Sequence, residues 1–247
     1  VMAAYTYGES KSINSATSSV AYSNWRYNET TGNSNAPELS VSDYSIPHRI
    51  VASLSYGKEY AKRFKSTVSL VYTGQSGAPY NVTYYGDLNG DGSNGNDLVF
   101  IPTDEQIDAM QFKATPKLDA DQQKADLKAF LGSAKYLKDH RGEYYERNSD
   151  RMSFEHHFDF RFLQDFKFRV AKETHTLQFS VDIMNVGNLL NRKWGLESYM
   201  SNNSYSPITY SKGGEFQYTQ GDKYDPFKEI SNISSRWRCQ LGLRYIF

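Results

Sequence analysis

One cysteine, Cys239, occurs in 247 residues. A single thiol excludes an intrachain disulfide framework and does not by itself indicate a redox compartment. Neither sign of charge is in excess, with 28 Lys and Arg against 28 Asp and Glu. Without a basic bias, the chain is not expected to bind nucleic acid. No run of about 18 or more apolar residues occurs, so no transmembrane helix is expected. The G-x-S-x-G, Walker-type and HExxH motifs are all missing. His156 and His157 are adjacent in a strand-like stretch, so they point to opposite faces and do not share a metal. Cys239 is expected on an apolar face, a poor place for a nucleophile. No catalytic residue is singled out, and no enzyme is expected. The first residues, Val1 to Tyr7, read as a strand without an initiator methionine, a basic segment or a signal core. The chain is therefore expected to begin inside a longer protein.

What the chain does have is aromatic residues, 15% of the total with 20 Tyr and 14 Phe. Its mean hydropathy is −0.69. In the terminal stretch Cys239 to Phe247, apolar or aromatic residues take every second position: Leu241, Leu243, Tyr245 and Phe247. Gln240, Gly242 and Arg244 lie between them, and Ile246 is the one exception. Side chains alternate faces along a strand, so one face is apolar. A last strand flush with a terminal aromatic is common in bacterial outer-membrane barrels, where Phe247 would serve as the assembly signal. A polar mean hydropathy is compatible with such a barrel, because half of each strand faces a polar lumen.

Period-2 alternation predicts six strands. They cover Val1 to Tyr7, about Arg49 to Tyr56, about Lys65 to Tyr85, Phe158 to Val170, about Thr176 to Asn185, and about Ile233 to the end. The fourth is the clearest. Phe158, Phe160, Phe162, Phe166, Phe168 and Val170 share one parity, and Asp159, Arg161, Asp165, Lys167 and Arg169 share the other. Its length suits a transmembrane barrel strand of about 9–11 residues better than an average sandwich strand. Short links near 57–63 and 171–175 alternate with long ones near 8–48, 86–151 and 195–232. Short turns on one side and long loops on the other are the outer-membrane plan. Six strands do not close a membrane barrel, and open edges in lipid are prohibitive, so further strands must complete it.

The first long link is rich in Ser, Asn and Thr and reads as irregular. Thr103 and Gln106 have capping-box spacing. Residues 119–137 read as a loop helix, with Leu127, Phe130, Leu131 and Ala134 on one face. The segment Asp87-Leu88-Asn89-Gly90-Asp91-Gly92 has the spacing that opens a calcium loop, but its twelfth position is Leu98 rather than a bidentate acid. Two readings stand: a Gly-rich turn without an ion, or a structural Ca²⁺ held by Asp87, Asn89, Asp91 and Asp97.

Several stretches resemble TonB-dependent receptors of Bacteroidetes. The segment Asp87–Gly92 followed by Asn96-Asp97-Leu98-Val99-Phe100-Ile101-Pro102 is similar to their DxNGDG…NDLxxIP pattern. Arg141-Gly142-Glu143-Tyr144-Tyr145-Glu146-Arg147-Asn148, followed by Asp159 to Phe166, is similar to RGxYxERN…DxRFxQDF. Residues 182–191 are similar to DIxNxxNLxN. The resemblance covers about residues 47–247 and is closest to the Oar-like branch, which is related to SusC-like transporters. It implies an all-β fold, with residues 1–247 as the C-terminal six strands or so of a 22-stranded antiparallel barrel whose long external loops contain short helices. It further implies a plug domain outside this chain and energy coupling through TonB–ExbB–ExbD. The implied partners are the remaining strands and plug, outer-membrane lipid and, left open, a surface lipoprotein.

Within that frame Arg141, Glu143, Glu146 and Arg147 are expected to form a charge network clamping a loop to the barrel wall. Asp159, Arg161, Asp165, Lys167, Arg169, Asp182 and Arg244 are expected to face the lumen. Trp25, Tyr27, Tyr199, Tyr205, Tyr210 and Tyr218 are read either as external ligand contacts or as loop packing. No cofactor is required beyond the optional Ca²⁺. The function expected is import of a large nutrient. The rivals are a passive porin-type barrel and a soluble, calcium-stabilised β-sandwich that binds glycans.

Overall fold

The computed structural model describes residues 1–198, 200, 203–211, 213–218, 229, 230, 233 and 235–247. Six long strands form one antiparallel sheet in chain order: β1 (Met2–Tyr7), β2 (His48–Tyr60), β3 (Phe64–Gln75), β4 (Glu155–Val170), β5 (Glu173–Met184) and β6 (Arg238–Ile246). The alternating sequence is the cause, since each strand pairs in a register that keeps its apolar positions in common rows. One row is Leu54, Leu70, Phe160 and Ile183 with Cys239, and the next is Tyr56, Val68, Phe162, Val181 and Leu241. A one-residue slip would turn every one of these side chains to the other face.

The links alternate as the sequence predicts. β2 joins β3 through Ala61-Lys62-Arg63, and β4 joins β5 through Ala171-Lys172. Ala61, Lys62 and Ala171 all have positive φ, so these tight turns are closed without glycine, at some conformational cost. The other three connections are long and leave from the opposite end of the sheet.

Two boundaries differ from the sequence reading. The stretch 65–85 is not one strand, because β3 ends at Gln75 and a second strand, Pro79–Tyr85, enters a different sheet. Period 2 continues across the break and hides it. The last strand starts at Arg238, not near Ile233. Gly77 sits at the break. A Cβ there would come within 2.5 Å of the backbone carbonyls of Met152 and Ser153. Gly77→Ala is therefore expected to force two backbones apart and to destabilise the protein by about 1–3 kcal/mol. An unchanged denaturation midpoint would contradict this.

The long connections fold together into a cap. Its four-stranded sheet runs Phe216–Tyr218, Ser204–Tyr210, Pro79–Tyr85, Asp150–Arg151, with a parallel pair at its centre. Helices α1 (Ala21–Arg26), α2 (Asp104–Ala109), α3 (Ala120–Ser133) and α4 (Lys135–Asp139) lie in the first two connections. The first connection is thus not wholly irregular. Thr103 caps α2 with the full reciprocal box, and Asp119 caps α3. The apolar stripe of α3 buries Leu127, Phe130 and Leu131, and the Phe130 ring meets Tyr205 edge-on at 5.4 Å.

Candidate functional site: a two-faced sheet beneath a polar cleft

The location of the core is diagnostic. Among the described residues, the buried apolar side chains run from Tyr80 to Met152 and from Met200 to Tyr218. All of them belong to the cap. The six-stranded sheet contributes none, although one of its faces is largely apolar, interrupted by the row Lys58–Ser66–Gln164 beside Phe179 and Leu243. Leu54, Tyr56, Val68, Leu70, Phe179, Leu241 and Leu243 are all exposed. A soluble sandwich would bury such a face against a second sheet about 10 Å away.

Aromatic rings edge the apolar face at both ends. Near the cap lie Tyr5, Tyr7, His48, Tyr72, His156 and Phe158, with Tyr72 and Phe158 4.9 Å apart and the Tyr72 hydroxyl 2.8 Å from His156 Nδ1. Near the tight turns lie Tyr60, Phe64, Phe166, Phe168, His175 and Tyr245, with Phe64–Phe166 at 5.3 Å and His175–Tyr245 at 5.5 Å. Phe247 extends this second belt, 5.8 Å from Tyr245. Along β4, Phe158 and Phe168 are ten residues apart. At about 3.4 Å per residue and a tilt of about 40°, that separation spans roughly 26 Å of membrane normal. Transmembrane barrels carry an apolar band about 25 Å tall between aromatic girdles.

The opposite face is polar and cross-linked. Arg161 Nε donates to Asp182 across β4 and β5. Lys167 Nζ pairs with Glu59 at 2.6 Å, reaching past β3. Gln178 donates to Asp165 at 2.7 Å, and the Asn185 amide donates to Asp159 at 2.8 Å. Arg169 and Arg244 are exposed on this face. These are the residues expected to face a lumen.

Over this sheet the cap holds a cleft of about 760 Å³. Asn and Ser side chains dominate its wall, with Glu29, Asp43, Arg26, Tyr27 and Tyr44 among them. The first connection supplies most of the wall, and Asn81, Asn96 and Ser204 come from the other two. Glu29 is half-buried. Burial raises its carboxyl pKa above the ordinary carboxylate value, outweighing hydrogen bonds from its own amide and from Ser204 Oγ, and Asp43 adds to the rise. A raised folded pKa means that this group favours the fold when protonated, and that the contribution is lost as pH rises from the ordinary carboxylate range through the raised value. Glu29→Gln is expected to slow hydrogen exchange around residues 26–43 more at pH 7 than at pH 4, relative to the unsubstituted protein. Equal effects at both pH values would contradict this.

The six aromatic candidates fare differently. Tyr27 lines the cleft, with the Arg26 guanidinium 5.3 Å from its ring centre. Trp25 stacks on Tyr22 and donates to Asn35. Tyr205 and Tyr218 are only 5% and 4% exposed and belong to the cap core, so the packing reading holds for them. Tyr210 packs on Phe216 at 5.5 Å. Tyr199 lies outside the described residues. The acidic and amide residues of the cleft were missed, because their only sequence sign was the Ser/Asn-rich character of the first link.

The four charged residues of the RGxYxERN stretch do not pair with one another, and the expected network is corrected accordingly. Arg141 donates to the Pro102 carbonyl and pairs with Asp104 at 3.4 Å. Glu143 and Glu146 are exposed. Arg147, 3% exposed, donates to Asn28 Oδ1 and the Ser12 carbonyl. Next to it, Asn148 donates to the Val41 carbonyl and Asp43, and exchanges two amide bonds with Asn81. The partners are neutral loop groups because Arg147 is turned toward the first connection, away from the acids beside it. Asn185 and Asn188 play a similar part beyond β5, donating to the Gly195, Ser235, Arg192 and Trp194 carbonyls.

In the calcium-like loop, Asp87 accepts from the amides of Gly90, Asp91 and Gly92, and Asn89 accepts from the Asp91 amide. Asp91 accepts from Ser34, Asn96, Asn89 and the Ser93 amide. Burial opposes its ionisation, but these donors lower its pKa nonetheless. Asp97 accepts from the Leu88 amide at 2.7 Å, yet burial raises its pKa.

An open antiparallel sheet with a girdled, largely apolar face, a polar face and a cap at one end defines a membrane-spanning β-barrel wall. The chain belongs to the outer membrane beta barrel domain family, whose sequence profile matches residues 1–219. It resides in the outer membrane. No curated protein and no solved structure matches it.

Proposed function

We propose that this chain is the C-terminal part of a TonB-dependent outer-membrane transporter of the Oar-like type, related to SusC-like proteins of Bacteroidetes. The complete barrel has 22 strands, and a plug outside residues 1–247 links it to TonB–ExbB–ExbD. The observation that carries the reading is the cap. The second and third long connections share one hydrophobic core, the first is tied to the second through Arg147 and Asn148, and together they hold open a polar cleft of about 760 Å³ at one mouth of the barrel wall. Concave, largely pre-formed sites of this size suit capture of a bound ligand, and a passive pore has no need of one. The motif resemblances at residues 87–102, 141–166 and 182–191 favour the same family.

In this mechanism the cleft captures a nutrient too large for porins. The cross-linked polar face forms the lumen wall against which the plug moves, and TonB pulling on the plug opens the path. The chain supplies walls and binding groups but no catalysis and needs no cofactor for transport. Outer-membrane lipid covers the apolar face, and the remaining strands pair with the free edges of β1 and β6. Deleting TonB is expected to abolish uptake that depends on this protein while leaving ligand binding at the cell surface intact. Undiminished, non-saturable passage without TonB would instead make it a passive porin.

A further inference from the structure

Three buried oxygens crowd into residues 93–97 with no hydrogen-bond partner from the protein: Ser93 Oγ, Asn96 Oδ1 and Asp97 Oδ1. Their residues are 0%, 2% and 3% exposed. A buried polar atom left unpaired costs about 1–3 kcal/mol, and more when charged, so such atoms call for an explanation.

Other atoms of the same three residues are bonded to the segment 87–91. Asn96 Nδ2 donates to Asp91 Oδ2 at 3.0 Å, which ties this amide to the Asp91 carboxylate. The Ser93 amide donates to Asp91 Oδ1 at 2.7 Å. Asp97 Oδ2 accepts from the Leu88 and Asn89 amides, which ties this carboxyl to the 87–89 limb. All three oxygens belong to residues bonded into the loop that begins at Asp87. Asp87, Asp91 and Asp97 bring three carboxyl groups to it, and none of them takes part in an ion pair among the described residues.

The donor set points to one kind of ion. Among the described residues, no three His, Cys, Asp or Glu side chains gather to hold a metal by themselves. That set does not suit a transition metal. It offers hard oxygens of mixed type (carboxylate, amide carbonyl and hydroxyl) on an irregular loop, which suits Ca²⁺ better than the strict octahedron of Mg²⁺. Gly92, at φ +87°, makes the sharp turn at the sixth position. The loop departs from the usual pattern at its end. Leu98 at the twelfth position is buried in the cap core, and Asp97 folds back in its stead.

We propose that residues 87–97 form a Ca²⁺ site in which Asp91, Ser93, Asn96 and Asp97 supply side-chain oxygens. Its place in the cap gives it a task. Asn94, Gly95 and Asn96 line the cleft, and the Asn96 carbonyl and Leu98 amide bond to Thr30, next to Glu29. The bound ion stiffens this wall and fixes the first connection against it. The proposal does not depend on TonB coupling.

The test uses the intact protein, purified from outer membranes in detergent and stripped with EDTA. Hydrogen exchange over residues 85–98 is followed with Ca²⁺, with Mg²⁺ and with neither. Ca²⁺ is expected to slow exchange there by about ten-fold or more, with little effect from Mg²⁺. In calorimetric titration with CaCl₂, Asp97→Asn is expected to weaken binding by about ten-fold or more, or to remove one equivalent. Exchange in the unsubstituted protein that does not respond to Ca²⁺ would overturn the proposal and leave water as the partner of these oxygens. That readout does not depend on whether the variant folds.

Discussion

Arginine in place of Val181 is expected to cost about 2–4 kcal/mol of folded stability in a bilayer, the penalty for a cation at the midplane of the lipid face. Val181 sits in the middle of the apolar band, in the row Phe162–Val181–Leu241. Its neighbour Ser180 points to the other face, opposite Leu163 and Gly242. Ser180→Arg should therefore fold nearly as well as the unsubstituted protein, because its guanidinium enters water. The folded fraction can be read in lipid vesicles from the mobility of unheated samples on a denaturing gel. A loss at position 181 alone is expected. Equal losses at both positions, or a loss at 180 alone, would contradict the assignment of faces.

Arg147→Met is expected to loosen the first connection by about 3 kcal/mol or more. Hydrogen bonds to charged groups are each worth about 1.5–3 kcal/mol, and the substitution leaves the buried Asn28 Oδ1 and the Ser12 carbonyl without their donor. Arg147→Lys should rescue little, since one ammonium does not reproduce the planar fork that serves both acceptors. Hydrogen exchange should accelerate in residues 10–30 and around 40–45 and stay unchanged in β4 and β5. Unaltered exchange in the first connection would show that Arg147 does not hold it.

These two residues also mark what the sequence reveals and what it conceals. Val181 could be placed on the apolar face from sequence, because a strand's period of two is a local property and each neighbour repeats it. The tight turns and the lumen-facing charges were legible for the same reason. Arg147 was legible as a structural residue but not by its partners. Its acceptors lie 119 and 135 residues away, in a connection whose composition suggested no structure. The cap as a whole rests on such distant pairings, including the parallel match of 79–85 with 204–210 and the Thr83–Ser206 hydroxyl contact at 2.6 Å. The strand Pro79–Tyr85, buried except at Tyr85, continues the alternation of β3, and only the close packing of Gly77 marks the change of sheet. The cleft follows from these long-range contacts, so its acidic and amide lining has no local signature. Tyr205 and Tyr218 show the converse, since an aromatic-rich loop reads as a binding surface until its core is seen.

The central claim is that the sheet spans the outer membrane with its cap outside and its tight turns in the periplasm. Cysteine labelling on intact cells tests it most directly, using a polymer-linked maleimide too large for porins. Cys239, on the lipid face, is first replaced by serine. Tyr27→Cys, at the cleft, should react on intact cells. Lys172→Cys, in the β4–β5 turn, should react only after the outer membrane is permeabilised. Labelling of Lys172→Cys alone on intact cells, or recovery of the protein as a soluble species without detergent, would contradict the account.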